Sequence, residues 1–171
     1  HGDPGNDHPA VMLALDAQLV IKGPEGERVE PANGFFLGTY WTNLEEHDIL
    51  VSLKVPAKKP GVGYGYSKLK RKTGDYAVAG SPVVVEMDGD VIRDIRIGLT
   101  NVAACAIRAE AAENLLKGQR LSDELLKQVE KAVIEACEPA VDLRGDEEYK
   151  SHMAAVMARR SIIQAVEDAR G

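Results

Sequence analysis

Cysteine is scarce in this chain, and its scarcity excludes one class of cofactor. The 171 residues include only two cysteines, Cys105 and Cys137, which show neither CxxC nor metal-ligand spacing. An iron–sulfur cluster needs about four cysteine ligands, so this chain does not supply a cluster site. We expect both thiols to be buried as small hydrophobic side chains in a reducing compartment, which favours a cytoplasmic location.

Long apolar runs and an excess of basic residues are also absent. No apolar run approaches the roughly 20 residues that a membrane-spanning helix needs, and the first residues lack the basic and apolar regions of a signal peptide. The formal net charge of −6 argues against a general nucleic-acid-binding protein. With 44% hydrophobic residues, the composition is ordinary for a soluble globular protein.

Residues 64–76 have an unusual composition for a buried strand. If this segment is extended, Tyr64, Tyr66, Lys68 and Lys70 alternate onto one face. Aromatic rings beside ammonium groups suit a flat or anionic ligand. A solvated basic edge strand, whose lysines discourage aggregation, explains the same pattern. The residues alone leave both interpretations open.

The first nine residues are rich in turn-forming and acidic side chains. Asp7 is placed to cap a helix whose first turn contains Pro9. His1, Asp3, Asp7 and His8 are also metal-ligand types, so a metal-dependent hydrolase built on them is an alternative. Turn and capping roles explain the acidic side chains without a metal.

The order of elements predicts an α+β fold, because strands come first and helices follow. Hairpins are predicted across residues 23–26 and 88–89. Helices are predicted over residues 108–117, 122–137 and 147–168 from their apolar spacing, with Ser122 as the N-cap of the second.

A strand and a boundary are predicted in the middle of the chain. Alternate positions of residues 49–55 are apolar and face one way, while Leu50 lies on the opposite, otherwise polar face. Residues 56–63, rich in Pro, Gly and Lys, mark a domain boundary. The glycines of residues 61–65 lack the strand-before and helix-after setting of a phosphate-binding loop, so no such loop is predicted.

Several segments, in order, carry a family resemblance. They are residues 1–9 (HGDPGNDHP), 48–56 (DILVSLKVP), 68–77, 108–113 (RAEAAE), 142–149 (DLRGDEEY) and the helix with Arg159 and Arg160. With these segments the chain resembles the FAD-binding medium subunits of molybdenum hydroxylases, and among them the carbon monoxide dehydrogenase type. In that family a glycine-rich segment and most of the pyrophosphate-binding half precede the His-Gly-Asp-Pro motif. The resemblance therefore implies the C-terminal part of such a subunit.

The resemblance also implies a fold and a set of cofactor contacts. Residues 1–57 would be the second half of a PCMH-type FAD-binding domain. Residues 62–170 would be a CO-dehydrogenase-flavoprotein C-terminal domain, a three-stranded antiparallel sheet with three helices. The implied FAD contacts are His1 and Gly2 near the isoalloxazine, a hydrogen bond from the FAD accepted by Asp7, an apolar contact from Leu50, a charged hydrogen bond donated by Lys68, and the ring of Tyr76. Asp75 would orient Lys68 or cap the turn, and we favour the structural role. No catalytic acid, base or metal ligand is implied.

The implied function is electron transfer within a hetero-oligomeric oxidoreductase. An iron–sulfur small subunit with [2Fe-2S] clusters would supply electrons, and a molybdenum large subunit with the molybdenum cofactor would oxidise the substrate. A dimer of heterotrimers is expected, with no nucleic acid, no membrane-spanning segment and room for peripheral membrane association. The alternative is a non-catalytic docking or assembly module that no longer binds FAD on its own.

Overall fold

The computed structural model describes residues 1–171 as four helices and nine strands. The helices are α1 (Asp7–Ala14), α2 (Glu110–Leu116), α3 (Asp123–Glu135) and α4 (Glu147–Arg170). The strands are β1 (Gln18–Gly23), β2 (Gly26–Pro31), β3 (Phe36–Gly38), β4 (Trp41–Thr42), β5 (Ile49–Lys54), β6 (Val62–Leu69), β7 (Ala79–Asp88), β8 (Val91–Leu99) and β9 (Ile107–Arg108). Strand-rich and helix-rich parts follow one another, as the α+β prediction requires.

The N-terminal sheet has the order β2-β1-β5, and all its pairs are antiparallel. The predicted hairpin at residues 23–26 is present, because Gly23 pairs with Gly26 across the turn. A core of nine buried residues lies beneath this sheet and includes Leu19, Ile21 and Phe35. β3 and β4 form a separate two-stranded ribbon.

β5 forms where the apolar alternation predicts a strand, but neither of its faces is covered. All six of its residues are exposed, and Ile49 is 68% accessible. β5 is an edge strand that pairs only with β1. Alternation of apolar and polar residues indicates which side chains share a face, whereas burial also requires a second layer. In this chain no helix or sheet packs over β5.

The C-terminal sheet has the order β6-β7-β8-β9 and is antiparallel throughout. The predicted hairpin joins β7 to β8, but its two-residue turn is residues 89–90, one position later than the predicted 88–89, because Asp88 is the last residue of β7 and pairs with Val91. Gly89 in this turn has a φ of 58°. The expectation of three strands is wrong by one short strand, β9. Arg108, predicted as the first helical residue, lies in β9 instead, and α2 begins at Glu110.

α4 packs against β6 at two glycines. A Cβ at Gly63 would collide with the carbonyl of Ala165, and one at Gly65 with the carbonyl of Ser161. These glycines therefore allow close backbone approach. Side chains of α4 also satisfy the outer N–H groups of this edge strand: Asp168 accepts from Tyr64 N–H at 2.9 Å and Gln164 accepts from Tyr66 N–H at 3.0 Å.

The helices start at polar caps. Ser122 caps α3 as predicted, with its hydroxyl accepting from Leu125 N–H at 3.2 Å. The predicted cap of α1 is wrong by one position, because Asn6 accepts from His8 N–H and Asp7 is the first helical residue. Asn and Asp are equally good caps, so the sequence does not fix that register. Residues 62–170 contain three helices as predicted, and α1 makes four in all.

The main hydrophobic core contains 21 buried residues and lies between the C-terminal sheet and α2, α3 and α4. Ile92, Ile95 and Ile97 fill it from β8, and Ile162 fills it from α4. α1 packs on β7 and β8 beside this core. The first residues of the chain are therefore held against the C-terminal sheet.

Candidate functional site

Asp7 and Lys68 form an ion pair between the start of α1 and the end of β6. Lys68 Nζ donates to Asp7 Oδ2 at 2.8 Å. The other carboxylate oxygen, Asp7 Oδ1, is buried and makes no hydrogen bond of standard length and angle, although the Tyr66 hydroxyl lies close to the carboxylate. A buried acceptor without a donor is costly. This oxygen is therefore suited to a hydroxyl or amide donor of a bound molecule.

Tyr66 lies beside this pair. Burial is the main cause that raises the pKa of the Tyr66 phenol, and the nearby Asp7 carboxylate raises it further. The hydroxyl therefore stays neutral at physiological pH. Tyr66 and Lys68 share one face of β6, as the alternation predicts. Tyr64 has the same parity in the strand, whereas Lys70 lies beyond its end. The predicted aromatic and basic face therefore forms, and its C-terminal half contacts Asp7.

Asp75 fixes the loop between β6 and β7. Its carboxylate accepts from Arg144 Nη2 at 3.2 Å and from the backbone N–H of Tyr76 at 2.9 Å. The Arg144 guanidinium is the main cause that lowers the pKa of the Asp75 carboxyl. Arg71 adds a third contact, at 3.4 Å. Asp75 thus holds the loop to the segment before α4 and does not orient Lys68.

A cavity of about 550 Å³ opens beside this loop. Tyr76, with half of its surface exposed, is part of its wall, and the guanidinium carbon of Arg144 lies 6.0 Å from the centre of the Tyr76 ring. Lys150 is buried at the cavity, where its ammonium donates to Asp142 Oδ1 at 2.9 Å and to the Ala140 carbonyl at 2.7 Å. Aromatic rings share the wall with several charged and polar side chains, so this cavity is more polar than a typical small-molecule pocket of its size.

Tyr40 lines the same cavity. Its hydroxyl donates to Asp3 Oδ2 at 3.2 Å, and Asp3 Oδ1 accepts from Gly5 N–H at 2.9 Å. Gly5 in turn lies against Tyr76, since a Cβ at Gly5 would be 3.5 Å from that side chain. The segment of residues 3–5 therefore connects the two tyrosines.

Gly2 has a backbone role at the edge of this cavity. Its φ is 63°, and a Cβ would lie 2.9 Å from Cγ2 of Thr42. The Gly2 carbonyl accepts from Tyr40 N–H at 3.3 Å. Both the left-handed backbone and the close contact require glycine. His1, beside it, is exposed to solvent.

Leu50 lies apart from the other predicted site residues. It is on β5, where it pairs with Ile21 of β1, and 40% of its surface is exposed. Of the six predicted site residues, only Tyr76 is part of the wall of the cavity that contains Tyr40. The wall does not include His1, Gly2, Asp7, Leu50 or Lys68. The structure thus brings Asp7 and Lys68 together. Gly2 is bonded to Tyr40, which lines the same cavity as Tyr76. Leu50 belongs to the outer edge of the N-terminal sheet.

No three His, Cys, Asp or Glu side chains come close enough together to bind a metal ion. Asp3 and Asp7, from the proposed ligand set, are instead bonded to Tyr40 and Lys68. The metal-dependent hydrolase therefore has no site in this structure. No helix combines the length and the apolar character that a membrane crossing requires.

Comparison with known proteins shows which family the chain belongs to. Residues 64–165 match the family described as the CO dehydrogenase flavoprotein C-terminal domain, over more than half of the chain. This chain belongs to that family. Residues 1–58 match the family described as the FAD binding domain in molybdopterin dehydrogenase. The two matches follow one another in the order that the resemblance implies.

Members of the CO dehydrogenase flavoprotein family are similar over nearly the whole chain. The carbon monoxide dehydrogenase medium chain of Hydrogenophaga pseudoflava is 50% identical over 95% of this chain and 56% of that protein. The solved carbon monoxide dehydrogenase of the same organism superposes with a TM-score of 0.96 at 52% identity, over 98% of this chain and 58% of the other. Quinoline 2-oxidoreductase from Pseudomonas putida 86 gives a TM-score of 0.90 at 27% identity, over 100% and 59%. The chain thus spans a little over half the length of these relatives.

Sequence reasoning missed several residues of the cavity. Tyr40 lies in a stretch that has no motif, and nothing in the sequence marks its left-handed backbone. Asp142, Arg144 and Lys150 fall in or next to the DLRGDEEY segment, which the resemblance includes without assigning a role. The sequence feature that could have identified these three residues is the high density of charged side chains in a short segment before a helix.

Proposed function

We propose that this chain is part of the FAD-binding medium subunit of a molybdenum hydroxylase of the carbon monoxide dehydrogenase type. The subunit would receive electrons from an iron–sulfur small subunit and deliver them to an external acceptor. FAD, when bound, supplies the redox chemistry, and the protein supplies position and electrostatics. The single observation that carries the proposal is the buried Asp7 Oδ1, an acceptor without a standard hydrogen bond inside a family segment described as FAD-binding.

The residues present fit a flavin. Asp7 Oδ1 would accept a hydrogen bond from a hydroxyl or amide of FAD, and the Lys68 ammonium beside it would place positive charge near the cofactor. Tyr76 would offer its exposed ring to the isoalloxazine, with the backbone of His1 and Gly2 nearby. Leu50 would contribute an apolar contact from the exposed face of β5.

Two structural units support this assignment. Residues 1–57 contain the N-terminal sheet and eight of the nine residues of its core, the ninth being Ala106, and would be the C-terminal part of the FAD-binding domain. Residues 62–170 contain the larger sheet and three helices, and would be the CO dehydrogenase flavoprotein C-terminal domain. Residues 56–60 between them form no helix or strand, which is consistent with a boundary there.

The partners we propose are an iron–sulfur small subunit and a molybdenum large subunit with their own cofactors, in a dimer of heterotrimers. A second candidate function is a docking or assembly module that binds these subunits without FAD. The exposed apolar strand β5 favours it, because such a surface suits a protein partner.

Spectroscopy of the protein purified in its natural assembly separates the two functions. The electron-transfer proposal predicts a flavin spectrum that bleaches on reduction by dithionite and returns on exposure to an acceptor. A colourless preparation that retains its partner polypeptides would support the docking module and overturn the FAD proposal.

A further inference from the structure

Tyr40 has a backbone conformation that bulky side chains avoid. Its φ is +56°, in the left-handed region where Gly and Asn are the usual residues. The side chain is also 67% exposed, so burial in the core does not offset this strain. Tyr40 is the second residue of the two-residue turn between β3 and β4, where Gly38 pairs with Trp41. The turn accounts for the positive φ, but not for an exposed aromatic side chain at a position that favours Gly or Asn.

Both ends of Tyr40 are fixed by the N-terminal segment. The backbone N–H donates to the Gly2 carbonyl at 3.3 Å, and the hydroxyl donates to Asp3 Oδ2 at 3.2 Å. Asp3 also raises the pKa of the Tyr40 phenol. The ring is therefore held in one orientation at a cavity that also contains Tyr76.

We propose that Tyr40 is a second aromatic contact of the flavin site, facing the same ring system as Tyr76, and that Asp3 is its positioning residue. This inference rests on the proposed function, because it takes FAD as the ligand. A ring already fixed before binding loses little conformational entropy when a flat ligand stacks on it. The presence of an aromatic side chain at this turn position is then explained by its contact with the flavin.

Tyr40→Asn separates this role from a structural one. Asn adopts a left-handed backbone readily and removes the ring. We expect the melting temperature of the FAD-free protein to stay the same or rise, while the Kd for FAD increases about 2- to 12-fold, the range of one aromatic pair. Tyr40→Phe keeps the ring and should remain closer to the wild-type Kd. The measurement is fluorescence titration of the full-length protein with FAD, beside thermal unfolding.

Asp16→Gly is the matched backbone control, because Asp16 also has a positive φ, 52°, and lies outside the cavity. It should leave the Kd for FAD unchanged. If Tyr40→Asn binds FAD as tightly as the wild type, or loses thermal stability in proportion to affinity, Tyr40 is not a flavin contact. A wild-type protein that binds no FAD overturns the proposed function itself, together with this inference.

Discussion

At the scale of single residues, the ion pair between Asp7 and Lys68 alters what each side chain offers a bound flavin. The Lys68 ammonium is partly balanced by the carboxylate at 2.8 Å, so the local field is weaker than that of a free lysine. Removal of Lys68 would leave the Asp7 charge alone beside the cofactor. Reduction places negative charge on the flavin, which a cation stabilises and an unpaired anion opposes.

Lys68→Ala should therefore lower the flavin reduction potential and weaken FAD retention. The expected decrease is on the order of 30 mV, which for a two-electron couple is about 1.4 kcal/mol. Lys70→Ala is the matched control, because Lys70 lies beyond the end of β6 and is exposed. Spectroelectrochemical titration measures the potential. An unchanged reduction potential and FAD content in Lys68→Ala would show that Lys68 does not stabilise the reduced flavin.

Arg144 restrains the loop that contains Tyr76. It does so by its ion pair with Asp75, whose carboxylate also accepts from the Tyr76 N–H. Arg144→Ala should free this loop, so that trypsin cleaves faster at Lys70, Arg71 and Lys72. Mass spectrometry of the fragments identifies the cleavage sites.

Arg93→Ala is the control for this experiment, since Arg93 pairs with Glu86 on an exposed surface. It should leave cleavage at residues 70–72 at the wild-type rate. Equal rates in Arg144→Ala and the wild type would show that the ion pair with Asp75 does not restrain the loop.

At the scale of elements, the contact of β6 with α4 depends on glycine. Gly65→Ala would push a methyl group into the carbonyl of Ser161, and we expect a loss of about 1–3 kcal/mol in the free energy of unfolding, as for other overpacked sites. Ser67→Ala, on the same face of β6, is the control and should change stability much less. Urea denaturation measures both. A Gly65→Ala protein as stable as the control would contradict this packing.

The N-terminal sheet has an acid-sensitive connection. Arg28 on β2 donates to Asp48, just before β5, at 2.9 Å, and this guanidinium lowers the pKa of the Asp48 carboxyl to about 2. Because the pKa is lower in the folded state, the pair stabilises the fold above the ordinary Asp pKa of about 3.9 and loses that effect as pH falls toward 2. Asp48→Asn should thus be less stable than the wild type at pH 6, and the difference should shrink below pH 4.

Thermal unfolding of both proteins across this pH range checks the prediction. A stability difference between Asp48→Asn and the wild type that is the same at pH 6 and pH 2.5 would mean that ionisation of Asp48 does not contribute.

Much of the element structure is predictable because it depends on local chemistry. The turn at residues 23–26 and the cap at Ser122 follow from turn and capping preferences, and so does the β7–β8 hairpin, whose turn lies one residue later than predicted. The rest depends on tertiary contacts. β9 is two residues long and exists only because β8 lies beside it, and Gly63 and Gly65 look like loop glycines until α4 is placed against them. Tyr40 could not be predicted as a site residue, since its bonds to Gly2 and Asp3 are tertiary contacts.

At the scale of the whole molecule, α1 determines where Asp7 meets Lys68. A Cβ at Gly98 of β8 would collide with the carbonyl of Ala10, and Arg96 donates to the Ala14 carbonyl at 3.0 Å. α1 therefore packs against the C-terminal sheet along its whole length. The Asp7–Lys68 pair is therefore a product of both halves of the chain, which sequence motifs indicate only through the family resemblance.

The ratio of bound FAD to chain, in wild type and in Asp7→Ala purified in the natural assembly, tests the central claim most directly. The buried Asp7 Oδ1 makes no hydrogen bond of standard geometry within the protein, so we expect about one FAD per chain in the wild type and a clear loss in the variant, because a hydrogen bond to a charged group is worth about 1.5–3 kcal/mol. A wild type without FAD, or a variant that retains the full ratio, would contradict the account.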